Sequence, residues 1–204
     1  MNHLYPFHSK ISAAQRQDIL QQEPRLIWLT GLSGSGKSTL ALRLEHYLFH
    51  KGYKVYLLDG DNVRSGLNSD LGFSAQDRRE NVRRVSEVAK LMLDAGLVVI
   101  GAFISPYREE RELVRETVGA DSFTEVYINC PLHVCERRDT KGLYAEARRG
   151  LISDFTGVSA PYEVPARPDV EVQTAEESIE DSLHKLIEVI EPLLMLQRES
   201  SVNC

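Results

Sequence analysis

Long apolar runs are missing from this chain. Nothing approaches the roughly 18 consecutive apolar residues of a membrane span, and the opening MNHLYPFHSKISAAQRQ has no apolar core of the kind a secretory leader carries. Neither export nor membrane insertion is expected, and a membrane is not a partner. Cysteine is scarce: Cys130, Cys135 and Cys204 form an odd, spread set without a C-x-x-C pair, which argues against a disulfide framework or a zinc site and fits a reducing cytoplasm. Basic charge is not in excess either. With 30 acidic and 24 basic side chains the formal net charge is -6, so the global attraction to polyphosphate backbones shown by nucleic-acid binders is absent and any anion site has to be local. Internal repeats and low-complexity tracts are also lacking.

What is present suits one compact unit. At 204 residues and 42% hydrophobic, the chain can bury one substantial core but hardly two. From Arg25 onward short apolar runs alternate with longer amphipathic ones, the pattern of βαβ units that place a mostly parallel sheet between helices. Five strands are expected: RLIWLTG to Gly31, KVYLLDGD to Asp61, LVVIGAFIS to Ser105, FTEVYINCP to Pro131, and DVEVQT to Thr174. Their polar tails belong at carboxyl ends, where open parallel sheets bind ligands. Ser74 with Asp77 reads as a helix N-cap and acidic first turn, Gly96 as that helix's stop, and Pro106 as the first position of the next helix. Residues 137–168 combine basic residues, prolines and glycines with weak periodicity and are expected to form a lid and loop region, the lid being mobile. AEESIEDSLHKLIEVIEPLLMLQ reads as a closing helix. The expected organisation is an N-terminal extension over 1–24, one domain over 25–197, and a frayed end over 198–204.

The sharpest signal is Gly31-Leu32-Ser33-Gly34-Ser35-Gly36-Lys37-Ser38, a full match to G-x-x-x-x-G-K-[ST] that follows an apolar strand and precedes the amphipathic run TLALRLEHYLFH. Glycines let successive N–H groups curl around phosphates while the helix N-terminus adds its positive end. Lys37 is placed to reach the β- and γ-phosphates of ATP, and Ser38 to offer its hydroxyl to Mg²⁺; Thr39 completes the nucleotide-binding stretch. A glycine-rich turn with no nucleotide is the plain alternative, and the motif alone leaves kinase, GTPase and motor open.

A kinase is favoured by Asp59-Gly60-Asp61-Asn62-Val63-Arg64, which puts two carboxylates and a guanidinium at a strand end, where an acceptor hydroxyl would lie. Asp61 could take the hydroxyl proton or orient metal-bound water; a solvated D-G turn is the competing account. Arg78 and Asn81, three apart on one helix face, could share a ligand or be part of an ordinary charged face. Ser105 before Pro106 reads first as a helix N-cap and second as a residue that touches the phosphoryl group. Lys141-Gly142-Leu143-Tyr144 and Phe155-Thr156-Gly157 bring a cation, aromatic rings and hinge glycines to the lid.

In order behind GLSGSGKST, the blocks DGDNVR, FSAQDRRENVRR, AFISPYR, KGLYAEARRG and FTGVSAPYEVP resemble the adenylylsulfate kinase family from about Arg25 to Pro165. The resemblance implies a three-layer α/β P-loop kinase fold and transfer of phosphate from MgATP to the 3′-hydroxyl of adenosine 5′-phosphosulfate. It implies a substrate pocket of Asp61, Arg64, Phe73, Arg78, Asn81, Ile104, Ser105, Lys141, Leu143 and Phe155, with Phe73 and Phe155 clasping the adenine of adenylyl sulfate. It also implies catalytic roles for Lys37, Asp61 and Ser105, the last matching a serine proposed to form a phosphoenzyme in the family. A stand-alone homodimer functionally linked to ATP sulfurylase is the corresponding assembly. Ala145-Glu146 departs from the basic residues many relatives carry after KGLY, which alters lid electrostatics. Another small-molecule P-loop kinase and a non-catalytic nucleotide-binding module are the rival readings.

Overall fold

The computed structural model describes Tyr5 and residues 9–196; the end expected to fray, 198–204, lies outside the described residues. All five expected strands form: β1 (Leu26–Thr30), β2 (Val55–Asp59), β3 (Val98–Ala102), β4 (Phe123–Asn129) and β5 (Val170–Gln173). They lie in the order β2-β3-β1-β4-β5, every pairing parallel. β1 and β3 are buried throughout, which is why their sequences read as unbroken apolar runs rather than alternating ones.

Side-chain alternation sorts the strands between two cores. Ile27, Leu29, Ile100 and Val126 pack with Leu40, Leu44, Leu186 and Ile190 of helices α2 (Lys37–His50) and α8 (Ile179–Leu194). On the other face Leu26, Trp28, Val99 and Phe123 meet Val82, Val85 and Val114 of helices α4 (Ala75–Asp94) and α5 (Arg108–Val118). Trp28 lies opposite Gly101 in the β1–β3 register and stacks on Phe103 with centroids 4.7 Å apart. A Cβ on Gly101 would fall 2.7 Å from the indole, so that strand position admits no side chain.

The chain lays β2 and β3 on one side of β1 and β4 and β5 on the other, so the carboxyl ends of β1, β3 and β4 border the crevice where strand order reverses. Helix α4 starts at the expected cap, with Ser74 Oγ accepting the Asp77 N–H, and gives way at Ala95-Gly96.

Three local expectations are corrected. The second strand stops at Asp59, and Gly60–Ser65 form a short helix, α3, so Asp61 sits in a first helical turn rather than on a strand tail. Pro106 is not the first residue of α5, which begins at Arg108 behind Tyr107. Residues 137–168 are not plain loop: α6 (Leu132–Arg138) runs into them, α7 (Leu143–Arg148) lies within them, and Tyr144, Ala147 and Phe155 close a small core with Cys130 and Cys135.

The segment read as an N-terminal extension carries α1 (Ala13–Leu20), started by a Ser12–Gln15 capping box and held by Arg16 to Asp94 at 2.9 Å. Gln22 is buried: its amide donates to the Gly96 carbonyl at 2.8 Å, and its oxygen accepts the Lys54 N–H at 2.8 Å. Next to it, the Glu23 N–H donates to the Leu194 carbonyl at 2.9 Å.

Candidate active site

The phosphate loop is set where β1 turns into α2. Gly31 is fixed by the sheet itself, since a Cβ there would lie 2.6 Å from the Ile128 carbonyl oxygen of β4. The turn closes with the Ser35 N–H on the Leu32 carbonyl at 3.2 Å. Lys37 is buried, and its ammonium donates to the carbonyls of Gly31 (2.9 Å) and Leu32 (2.7 Å). Burial lowers its pKa from 10.5 to about 8. Ser35 Oγ is buried without a hydrogen-bond partner among the described residues.

Three side chains that the motif does not include secure this loop. Tyr144 donates its hydroxyl to the Ser33 carbonyl at 2.9 Å, which anchors α7 to the loop; Asp139 starts that helix by accepting the Tyr144 and Ala145 N–H groups, both at 3.0 Å. Arg138 spans the carbonyls of Gly34 (3.3 Å), Ser35 (3.4 Å) and Thr174 (2.6 Å), while Thr174 Oγ1 donates to the Ser35 carbonyl at 2.6 Å. The end of α6 and the residue after β5 are thereby joined to the loop that follows β1.

Asp59 links the two halves of the crevice. One carboxylate oxygen accepts the Ser38 hydroxyl at 2.9 Å and the other caps α3 through the Asp61 N–H at 3.0 Å. Asp61 is exposed and forms an ion pair with Lys141, which reaches across from the segment before α7. Arg64 donates to the Gly72 carbonyl at 2.8 Å, and its guanidinium lies 4.5 Å from the centre of the Phe73 ring. Phe73 is 61% exposed.

Arg78 and Asn81 do not share a partner. Arg78 donates to the carbonyls of Phe73 (2.9 Å) and Asp154 (2.7 Å) and to Thr156 Oγ1 (3.0 Å), so it ties the Phe73 and Phe155 segments together. Asn81 is buried and accepts the Asn68 amide at 3.0 Å. Phe155 turns into the lid core, edge-on to Tyr144 with centroids 5.0 Å apart, and Leu143 packs there as well. The two phenylalanines are brought to one region by Arg78, but not as two faces of one open slot.

Ser105 does not cap α5. It is buried with φ of 37°, a left-handed conformation that costs a non-glycine residue about 1–3 kcal/mol. Its hydroxyl accepts from the Trp28 indole N–H (3.0 Å) and donates to Thr30 Oγ1 (3.1 Å), which in turn donates to the Ile104 carbonyl (2.7 Å). Tyr162 OH lies 3.0 Å from the same Thr30 oxygen. Ser105 and Ile104 therefore form one hydrogen-bonded floor with the residue that precedes the phosphate loop.

A phosphate loop alone leaves the activity open, and similarity to known proteins narrows it. The family model described as adenylylsulphate kinase matches residues 23–173. An adenylyl-sulfate kinase of Vibrio vulnificus is 55% identical over 178 residues, which is 87% of this chain and 86% of that one. An adenylyl-sulfate kinase of Bacteroides thetaiotaomicron is 50% identical over 192 residues, 94% of this chain and 96% of that one. Among solved structures, an APS kinase of Mycobacterium tuberculosis in complex with AMPPNP and APS superposes with a TM-score of 0.79 at 48% identity, over 83% of this chain and 98% of that one.

Proposed function

The chain belongs to the adenylylsulphate kinase family, and from that premise we propose how its residues perform the reaction. The reaction is ATP-dependent phosphorylation of adenosine 5′-phosphosulfate (APS) at its 3′-hydroxyl, which yields 3′-phosphoadenylyl sulfate and ADP. The observation that supports the residue assignment is the Ser38–Asp59–Asp61 connection, in which the two oxygens of Asp59 accept the Ser38 hydroxyl of the phosphate loop and the backbone N–H of Asp61.

On the donor side, residues 31–39 hold the ATP phosphates. Lys37 gives up the Gly31 and Leu32 carbonyls for the β- and γ-oxygens, and the unpartnered Ser35 hydroxyl gains an acceptor. Arg138 and Thr174 border the same loop and are assigned to the nucleotide side. Ser38 and Asp59, a hydroxyl beside a carboxylate, are hard oxygen donors that fit Mg²⁺, an ion that keeps few protein ligands and takes the rest from phosphates and water. Bound there, Mg²⁺ would neutralise charge on the transferring phosphate.

On the acceptor side, Asp61 takes the proton of the 3′-hydroxyl once substrate releases it from Lys141. Lys141, Arg64 and Arg78 face the sulfate-phosphate anhydride, for which planar forks and an ammonium suit. Phe73 stacks on the APS adenine, and Phe155 reaches the same ring after Tyr144 and the lid core rearrange around it; Asn81, Ile104 and Leu143 complete the pocket. Ser105 serves as floor rather than nucleophile, since its hydroxyl is committed at both ends and in-line transfer needs no covalent intermediate. We also assign 25–197 as the catalytic unit and a homodimer as the working form, in a reducing cytoplasm and supplied by an ATP sulfurylase. Among the described residues no helix is long and apolar enough to cross a membrane.

The test is turnover of purified protein with MgATP and APS, read by mass spectrometry for ADP and for a phosphate on the 3′-oxygen. ATP binding without that product would sink the acceptor assignment, and phosphate on another small hydroxyl compound would replace it.

A further inference from the structure

Helix α5 carries a buried ion pair that none of these roles uses. Arg111 donates to Glu125 Oε1, to the Ser105 carbonyl and to the Glu163 carbonyl, each at 2.7 Å. Such a pair gives little net stability over apolar packing, because desolvating both charges offsets their attraction. Burial indeed raises the Glu125 pKa above its ordinary value despite the adjacent guanidinium. The pair supplies geometry instead, since a planar fork holds several acceptors in fixed directions.

Those acceptors come from three segments that meet behind the crevice. Glu125 is on β4. Ser105 ends the β3 segment and bonds Thr30, the residue before the phosphate loop. Glu163 belongs to the strap returning from the lid region, which is pinned again by its N–H on the Pro106 carbonyl and by its carboxylate on the Arg108 N–H, both at 2.8 Å. Tyr162 of that strap lies under the Arg111 guanidinium, 5.9 Å from ring centre, and reaches the same Thr30 hydroxyl. We propose that Arg111 is a positioning residue for phosphoryl transfer: it fixes the Ile104–Ser105 floor relative to the phosphate loop, and Glu125 fixes Arg111. The proposal rests on the site reading above. Without the Arg111 bond the strained Ser105 peptide is free to relax, which shifts the acceptor hydroxyl against the γ-phosphate and leaves the donor contacts in place.

Arg111→Lys keeps a cation beside Glu125, but one nitrogen on a flexible stem cannot serve three acceptors in fixed directions. In the full chain, kcat/KM for APS should fall about ten- to hundredfold, the loss expected of an ångström-scale misplacement, while KM for MgATP stays within about twofold. Emission of Trp28, the only tryptophan, should shift as well, because its indole N–H bonds Ser105. Unchanged kcat/KM for APS, or equal rises in both KM values with unchanged Trp28 emission, would overturn the proposal. If Arg111→Lys does not fold, the isosteric Glu125→Gln should show a smaller loss confined to the APS parameter; wild-type kinetics there, or failure of both variants to fold, would also overturn it. A wild-type protein inactive on APS would refute the functional reading instead, and the Trp28 emission of Arg111→Lys would then decide alone, a shift supporting the clamp and no shift removing it.

Discussion

Replacing Lys37 with methionine should stabilise the free protein near neutral pH while it abolishes phosphoryl transfer. The ammonium is buried and its pKa falls from 10.5 to about 8, which at ~1.36 kcal/mol per pH unit is a folding cost of about 3 kcal/mol. Below pH 8 both folded and unfolded chains hold the proton, and the folded state bears the whole cost. Between pH 8 and 10.5 the unfolded chain holds more protons than the folded one, so wild-type stability rises with pH through that window. Lys37→Met removes the cost but strands two carbonyls, at about 1 kcal/mol each. The variant should therefore lead by about 1 kcal/mol at pH 7 and trail by a similar amount at pH 10, a swing of about 2–3 kcal/mol. Urea denaturation of both proteins at the two pH values, followed by circular dichroism, measures the difference with the other titrating groups cancelled. A gap that is the same at pH 7 and pH 10 would refute the reasoning, because the buried charge would then not be what penalises the fold.

Three further outcomes follow. Asp61→Asn should bind ATP normally and lose about 10²–10⁴-fold in turnover, the range for a general base, measured as APS-dependent ADP release; wild-type turnover would remove Asp61 from proton transfer. Ser105→Ala should retain turnover within about tenfold, since in-line transfer needs no nucleophile there, and labelled ATP should leave no phosphate on the protein. A stable phosphoprotein that disappears in the variant would reverse that role. Gly101→Ala should destabilise by about 1–3 kcal/mol through the clash with the Trp28 ring. Thermal melting should fall by roughly 2–4 °C per kcal/mol, and an unchanged melting point would show that the β1–β3 pair yields more easily than its packing implies.

The sheet was legible because parallel strands buried on both faces leave unbroken apolar runs, and the phosphate loop because its function demands a fixed local spacing. What was not legible depends on partners far along the chain. Ser105-Pro106 has the local look of a helix cap, and only Trp28 and Thr30, 77 and 75 residues away, pull its hydroxyl into the sheet. Arg138 and Tyr144 read as lid residues; both bond carbonyls of the phosphate loop more than 100 residues earlier, and Arg138 also bonds the Thr174 carbonyl 36 residues later. Helix α7 spans six residues, too few for a periodic signal, and is set by Asp139 from outside it. Asp59 was visible beside Asp61, but the choice of which carboxylate faces Ser38 was made by where β2 stops and α3 begins.

The bond between Glu23 and Leu194 has a consequence for how this unit can be combined with others. It joins the stretch just before β1 to the last turn of α8, at the amino-terminal edge of the sheet, while phosphate loop and acceptor residues occupy the opposite edge. Glu23 and Leu194 therefore meet at the edge of the sheet opposite the phosphate loop, so a neighbouring domain joined at either point would start away from that loop.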